Sequence, residues 1–247
     1  MIIEAASLSE KGPCRKENQD AILEKYTKET GLFLVADGMG GHYLGSLASR
    51  ALVDFFCVWW EDVSGFLSGM AFSDLVSELK REVQKANQQI YKLYEDMKQH
   101  GGTTMCLLLV HKKNFAVFHV GDSRLYQYSR GNFEQITIDD VWQNQIPAQK
   151  RTMNIEKDSR YGRLTQAVGW QEEIELHTIT GSISGKVCFF LCSDGIYKYC
   201  AELRLKSQMK RAYWWKQTDR RIGNIKTVVY ENGAKDNLSM ICTIVKA

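Results

Sequence analysis

The residues best suited to chemistry in this chain are aspartates placed where apolar strands end. Val35-Ala36-Asp37-Gly38, His119-Val120-Gly121-Asp122-Ser123 and Leu191-Cys192-Ser193-Asp194-Gly195 each run an apolar segment into an aspartate, and a small or polar residue follows. Lys235-Asp236-Asn237 does the reverse, with the aspartate leading into a strand. If these strands lie side by side, their ends meet and so do the carboxylates. Like charges repel and burying each is expensive, so such a cluster needs compensation. A hard divalent cation supplies it, because Mg²⁺ and Mn²⁺ favour oxygen ligands and keep several waters. Glycine beside an aspartate permits close backbone approach, which makes the Gly38 carbonyl a further candidate ligand. Taken singly, each site also reads as an ordinary Asp-Gly or Asp-Ser turn.

Other site chemistries lack their residues. There is no Gly-x-x-x-x-Gly-Lys-Ser/Thr for a nucleotide, no His-Glu-x-x-His for zinc and no Gly-x-Ser-x-Gly for a serine nucleophile. His42, His100, His111, His119 and His177 show no metal spacing, and His119 alternates with Phe115 and Val117 as a core residue would. The 7 cysteines are odd in number, scattered and free of Cys-x-x-Cys pairs, which argues for reduced thiols in a cytoplasm.

The elements that must position these aspartates follow from periodicity. Ile2 to Leu8 and Ala21 to Tyr26 read as strands, and Leu32 to Ala36, apolar on both faces, as a buried one. Ser46 to Trp60 reads as a helix whose closing tryptophans, Trp59 and Trp60, fall at the core and its rim. Ser73 to Met97 reads as a second helix, with Ser73 as N-cap and Leu75, Leu79, Val83, Ala86, Ile90, Leu93 and Met97 as its apolar stripe. Strands return at Met105 to Val110, Phe115 to Val120, Leu125 to Tyr128 and Phe133 to Ile136, joined by connections short enough for antiparallel hairpins. Ile174 to Ile179, Val187 to Cys192 and Leu238 to Val245 complete the strands. Residues 138–163 are polar without a clean period and read as a surface segment. Leu203 to Tyr230 reads as a basic helical stretch. Its lysines and arginines, with Trp214 and Trp215, suit either a docking surface for acidic protein or nucleic acid, or a solvated helix face over two packed tryptophans. The pattern predicts an α+β fold, a four-layer α-β-β-α sandwich of two antiparallel sheets flanked by helices. With 247 residues, 2 prolines and no Gly/Ser-rich linker, one domain spanning 1–247 is expected. The net charge of +3 gives no general argument for nucleic acid or an anionic membrane, and neither a membrane span nor a secretory signal is visible.

On seven motifs in order the chain resembles the type 2C (PPM) metal-dependent serine/threonine protein phosphatases in their compact bacterial form. They are Arg15-Lys16-Glu17-Asn18-Gln19-Asp20, Val35-Ala36-Asp37-Gly38-Met39-Gly40-Gly41-His42, Gly101-Gly102-Thr103-Thr104, Val120-Gly121-Asp122-Ser123-Arg124-Leu125-Tyr126, Leu164-Thr165-Gln166-Ala167-Val168-Gly169, Cys192-Ser193-Asp194-Gly195 and Asp236-Asn237-Leu238-Ser239. The resemblance implies hydrolysis of phosphoserine and phosphothreonine by a metal-activated water, with two Mn²⁺ or Mg²⁺ ions in a cleft at the sandwich edge. By motif position Asp37 would bridge both ions. Asp194 and Asp236 would hold one, the Gly38 carbonyl the other, and Asp20 would act through water. Asp122 matches the position of a third, more weakly held ion, and Arg15 the phosphate-binding arginine.

The implied partners are phosphorylated proteins, targets of a serine/threonine kinase, met by a cytoplasmic monomer. The chain departs from the family at Met39, where animal members carry a histidine proposed as general acid. His42 or a bound water would then protonate the leaving group. It departs again at Ile138-Asp139-Asp140-Val141, where Asp-His-Ser is common; this segment corresponds to the family's variable flap. Two other functions stay open on sequence: a non-enzymatic regulatory module of the same fold, and a hydrolase of small phosphoesters.

Overall fold

A computed structural model describes residues 1–41, 43–147 and 154–247. Strand β1 (Ile2–Glu10) is followed by β2 (Asp20–Tyr26) and β3 (Thr30–Met39), then by the long helices α1 (Leu44–Val63) and α2 (Phe72–Met97). A meander comes next: β4 (Gly102–Thr103), β5 (Met105–His111), β6 (Asn114–Val120), β7 (Arg124–Ser129) and β8 (Asn132–Gln135). The short helix α3 (Trp142–Gln145) leads towards β9 (His177–Ser182) and β10 (Lys186–Cys192). Then α4 (Asp194–Tyr197), α5 (Glu202–Trp215) and α6 (Thr218–Glu231) precede β11 (Leu238–Lys246). One sheet runs β1-β11-β10-β7-β8. The other runs β2-β3-β5-β6-β9, with β4 paired to the end of β3. The pairings within both sheets are antiparallel.

The side chains sort into three apolar layers, which explains the unbroken apolar runs. In β3, Leu32, Leu34 and Ala36 face a cluster shared with α1 and α2, while Phe33 and Val35 face the other sheet. In β10, Phe189 and Leu191 point to the inter-sheet layer, and Cys188, Phe190 and Cys192 point to a third cluster under α5 and α6. A strand sandwiched between two apolar layers has no polar face. The result is the α-β-β-α sandwich expected from sequence. The hairpin between β7 and β8 turns through Arg130 and Gly131, both with positive φ (51° and 95°), as a two-residue turn of the right twist requires.

Several expectations are corrected. Helix α2 begins at Phe72 with Ala71 at the N-cap and no side-chain cap, so Ser73 lies inside the first turn. Phe72 packs against the core, and that contact draws the helix start forward. Trp59 and Trp60 are both buried, and α1 runs past them to Val63. The strand expected at Ile174 to Ile179 starts at His177. The stretch Leu203 to Tyr230 is two helices, broken at Lys216 and Gln217, where φ turns positive (58° and 61°). Trp214 and Trp215, expected to pack, are 60% and 65% exposed.

Candidate active site

Antiparallel pairing of β2 with β3 sets Asp20 opposite Asp37. The Asp37 backbone is held firmly. Its N–H donates to Thr104 Oγ1 (2.9 Å), and its carbonyl accepts from the Thr104 N–H (2.8 Å) and Thr103 Oγ1 (3.1 Å). Gly38 is required by close approach: a Cβ there would stand 2.0 Å from the Gly45 carbonyl oxygen and 2.7 Å from that of Gln19. The glycine after Asp37 therefore lets the start of α1 press on the strand end. The same logic holds at Gly195, where a Cβ would meet the Asn237 carbonyl oxygen at 1.8 Å.

The second sheet brings the remaining carboxylates. Ser193 Oγ donates to Asp20 Oδ2 (2.8 Å) and accepts from the Ser239 N–H (3.1 Å), tying the ends of β10 and β11 to β2. The Asn237 amide donates to the carbonyls of Lys11 and Glu17 (2.8 Å each), and its oxygen accepts from the Gln19 N–H (2.9 Å). That staple places Arg15, whose Nε and Nη2 donate to the two oxygens of Asp236 at 2.8 and 2.7 Å. Lys198, one turn after Asp194, donates to its Oδ2. Asp122 accepts from the Tyr197 hydroxyl (3.3 Å), and the Arg124 guanidinium lies 3.6 Å over the Tyr197 ring while bonding both oxygens of Asp139.

Asp37, Gly38, Asp122, Asp194, Asp236 and Arg15 line one cavity of about 660 Å³. Asp20 lies behind it, buried. Burial raises the Asp37 carboxyl well above its ordinary pKa, and Asp20, Asp194, Asp122 and Asp236 push it further. Burial, with Asp194 adding to it, takes Asp122 up to about 6 against the pull of Lys198. Asp20 is raised by burial, with Asp194 and Asp236 adding, against hydrogen bonds from Ser193 and Ser239. A divalent cation would relieve the cost of ionising these carboxylates together. Asp20 Oδ1, buried without a hydrogen-bond partner, fits that need. The fit lies in the donor set rather than in a ready-made nest. Among the described residues, no three His, Cys, Asp or Glu side chains converge enough to hold an ion as they stand. Asp236 is turned to Arg15, and Asp194 to Lys198.

The structure thus gathers the predicted aspartates and Arg15; His42 lies outside the described residues. Sequence reasoning missed Lys198, which had no signal beyond its spacing of four from Asp194. Asn237 lies within a motif, but its stapling role has no sequence signal. Sequence reasoning also missed a support beneath the Asp122 turn. Asp140 Oδ2 accepts from the Gly121 N–H and from Gln166 Nε2 (2.8 Å each), while Oδ1 meets His177 Nε2 at 2.8 Å. The Asp139-Asp140 departure was the only trace of it. From the segment 138–163, Gly162 and Arg163 reach the cavity wall, with Leu164 and Trp170 just beyond.

The family model for protein phosphatase 2C matches residues 15–227. The serine/threonine phosphatase stp of Listeria welshimeri is 28% identical over 211 residues, 82% of this chain and 81% of that protein. Protein phosphatase PhpP of Streptococcus pneumoniae is 28% identical over 203 residues, 78% of this chain and 79% of that protein. The solved serine/threonine phosphatase of S. agalactiae superposes with a TM-score of 0.85 at 24% identity, over 98% of this chain and 99% of that one, a likeness of fold.

Proposed function

Because this chain belongs to the protein phosphatase 2C family, we propose that its activity, removal of phosphate from phosphoserine and phosphothreonine in proteins, takes place in the cavity lined by Asp37, Asp122, Asp194, Asp236 and Arg15. The chain is a serine/threonine protein phosphatase, and dependence on a divalent metal is general in its family. The observation that carries the site assignment is the convergence of these carboxylates, from four separate strand ends, beside a guanidinium in one cavity.

In our reading two Mn²⁺ or Mg²⁺ ions would be held here, with Asp37 shared between them, Asp194 and Asp236 ligating one, the Gly38 carbonyl the other, and Asp20 acting through water. Asp122 would serve a third, weaker position. When bound, such ions lower the pKa of a water and neutralise phosphoryl oxygens. The chain's own residues do the rest. Arg15 offers two parallel donors that suit a phosphate as well as they suit Asp236. Lys198 adds a second cation at the rim. Trp170, Leu164 and Arg163 form a wall against which residues flanking the phosphorylated side chain can lie. We further propose that residues 1–247 act as one catalytic unit, monomeric and cytoplasmic, reversing the work of a serine/threonine kinase. No described helix is long and apolar enough to cross a membrane.

The test compares a phosphothreonine peptide, a nucleotide and an aryl phosphate as substrates with Mn²⁺, then with chelator. The peptide should be turned over most efficiently, chelation should abolish turnover, and excess Mn²⁺ or Mg²⁺ should restore it. Full activity after exhaustive metal removal would sink the two-metal assignment.

A further inference from the structure

The net charge of +3 is small, yet the cations are not evenly spread. Helix α5 buries Leu205, Met209, Ala212 and Tyr213 against the sheet. Its opposite face carries Leu203, Lys206, Ser207, Lys210, Arg211 and Trp214, at steps of three and four. That spacing makes a single stripe along the helix, here turned to solvent. Leu203 is 79% exposed at one end of the stripe. Trp214 stands at the other, with Trp215 beside it, both exposed. At about 1.5 Å per residue the two ends lie roughly 16 Å apart. Arg204 borders the stripe, and none of Arg204, Lys206, Lys210 or Arg211 has an ion-pair partner among the described residues. The stripe itself holds no carboxylate. Glu202, one turn before Lys206, borders the stripe without an ion pair to it, and Asp219 belongs to the next helix.

We propose that this face of α5, with its tryptophan pair, is a docking surface for an anionic lipid bilayer. Charge complementarity and side-chain type select that occupant. Unpaired lysines and arginines in a row are drawn to anionic headgroups. Tryptophan has an apolar body and an N–H donor suited to the headgroup level. Because the apolar face of α5 is taken up by the sheet, the contact is electrostatic along the stripe, with Leu203 and the tryptophan pair as apolar anchors at its two ends. The face is the convex side of a packed helix, and no residue of α5 lines the catalytic cavity. A bilayer needs no groove to receive it, and docking this way leaves the cavity open to phosphoproteins. The contact is peripheral.

The test uses the whole protein and sedimentation with vesicles of phosphatidylcholine alone, or of phosphatidylcholine and phosphatidylglycerol in equal parts. Binding is expected to the anionic vesicles only, and to weaken with salt. Lys206→Glu with Lys210→Glu should lower partitioning by roughly tenfold or more. Trp214→Ala with Trp215→Ala should also lower it and should remove fluorescence quenching by brominated lipid. Both variants should hydrolyse a soluble phosphothreonine peptide like the parent, which shows that they are folded. Failure of the parent to bind anionic vesicles, or binding that neither pair of substitutions weakens, overturns the proposal. Preference for polyglutamate or RNA over vesicles also overturns it and reassigns the face to an acidic polypeptide or a nucleic acid.

Discussion

On the proposed reading, Arg15 would serve two partners in turn. Its fork meets both oxygens of Asp236, and the same pair of donors matches two phosphate oxygens. Hydrogen bonds to charged groups contribute about 1.5–3 kcal/mol, so Arg15→Ala should lower kcat/KM roughly ten- to a hundredfold. Arg15→Lys should recover part of that loss, since it keeps the charge without the fork. Mn²⁺ affinity measured by calorimetry should not fall in Arg15→Ala, because the change frees Asp236; a marked fall would show that Arg15 organises the metal ligands instead. Asp37→Asn is the complementary case. A neutral amide bridges two cations poorly, so turnover should vanish and the count of bound Mn²⁺ should drop. Near-normal turnover would place the bridge elsewhere. The aspartates were legible in the sequence because a strand running into a carboxylate is a local pattern. The pairing of Arg15 with Asp236 was not, since 221 residues separate them and only the folded chain brings the two loops together.

Among the elements, α2 acts at a distance through Asn87. This buried side chain donates to the carbonyls of Gln171 and Glu172 (3.1 and 2.9 Å) and accepts from the Gly169 N–H (2.7 Å). It thereby fixes the turn that carries Trp170 to the cavity wall. Asn87→Ala leaves the buried Gly169 N–H unpaired and should destabilise the protein by about 2 kcal/mol, seen as a lower melting temperature. Because only the wall is loosened, KM for a phosphopeptide should rise more than kcat falls; equal loss of both in a still-folded variant would argue against that role. Most helices and strands were legible because their burial has a period, 3.6 in α2 and an unbroken apolar run in β3, β5 and β10. Ends were less so. The start of α2 depends on where Phe72 finds the core. The break between α5 and α6 rests on Lys216 and Gln217 adopting positive φ without a glycine or proline to signal it. The exposure of Trp214 and Trp215 was hidden because sequence alone does not show which side of a helix the sheet covers.

For the molecule as a whole, the raised carboxylates make stability depend on pH in an unusual direction. Asp37, Asp20 and Asp122 hold protons more tightly folded than unfolded, Asp122 up to about 6. From about pH 4 to 7, the value to which Asp20 is raised, the folded chain therefore binds more protons, and their contribution to stability is lost as pH rises. In chelator the melting temperature should fall from about pH 5.5 to pH 7.5, and excess Mn²⁺ should flatten or reverse that slope. A melting temperature in chelator that climbs over this range would show that the carboxylates are not the controlling groups. The four layers also order events in time. Strand β11 sits between β1 and β10, yet it follows every other strand in the chain. While the ribosome is still adding it, β1 has no neighbour in its sheet, Asp236 has no anchor, and the loop with Arg15 lacks the Asn237 staple. By this geometry the site is incomplete until β11 has been made. A half-made chain cannot strip phosphate from its surroundings.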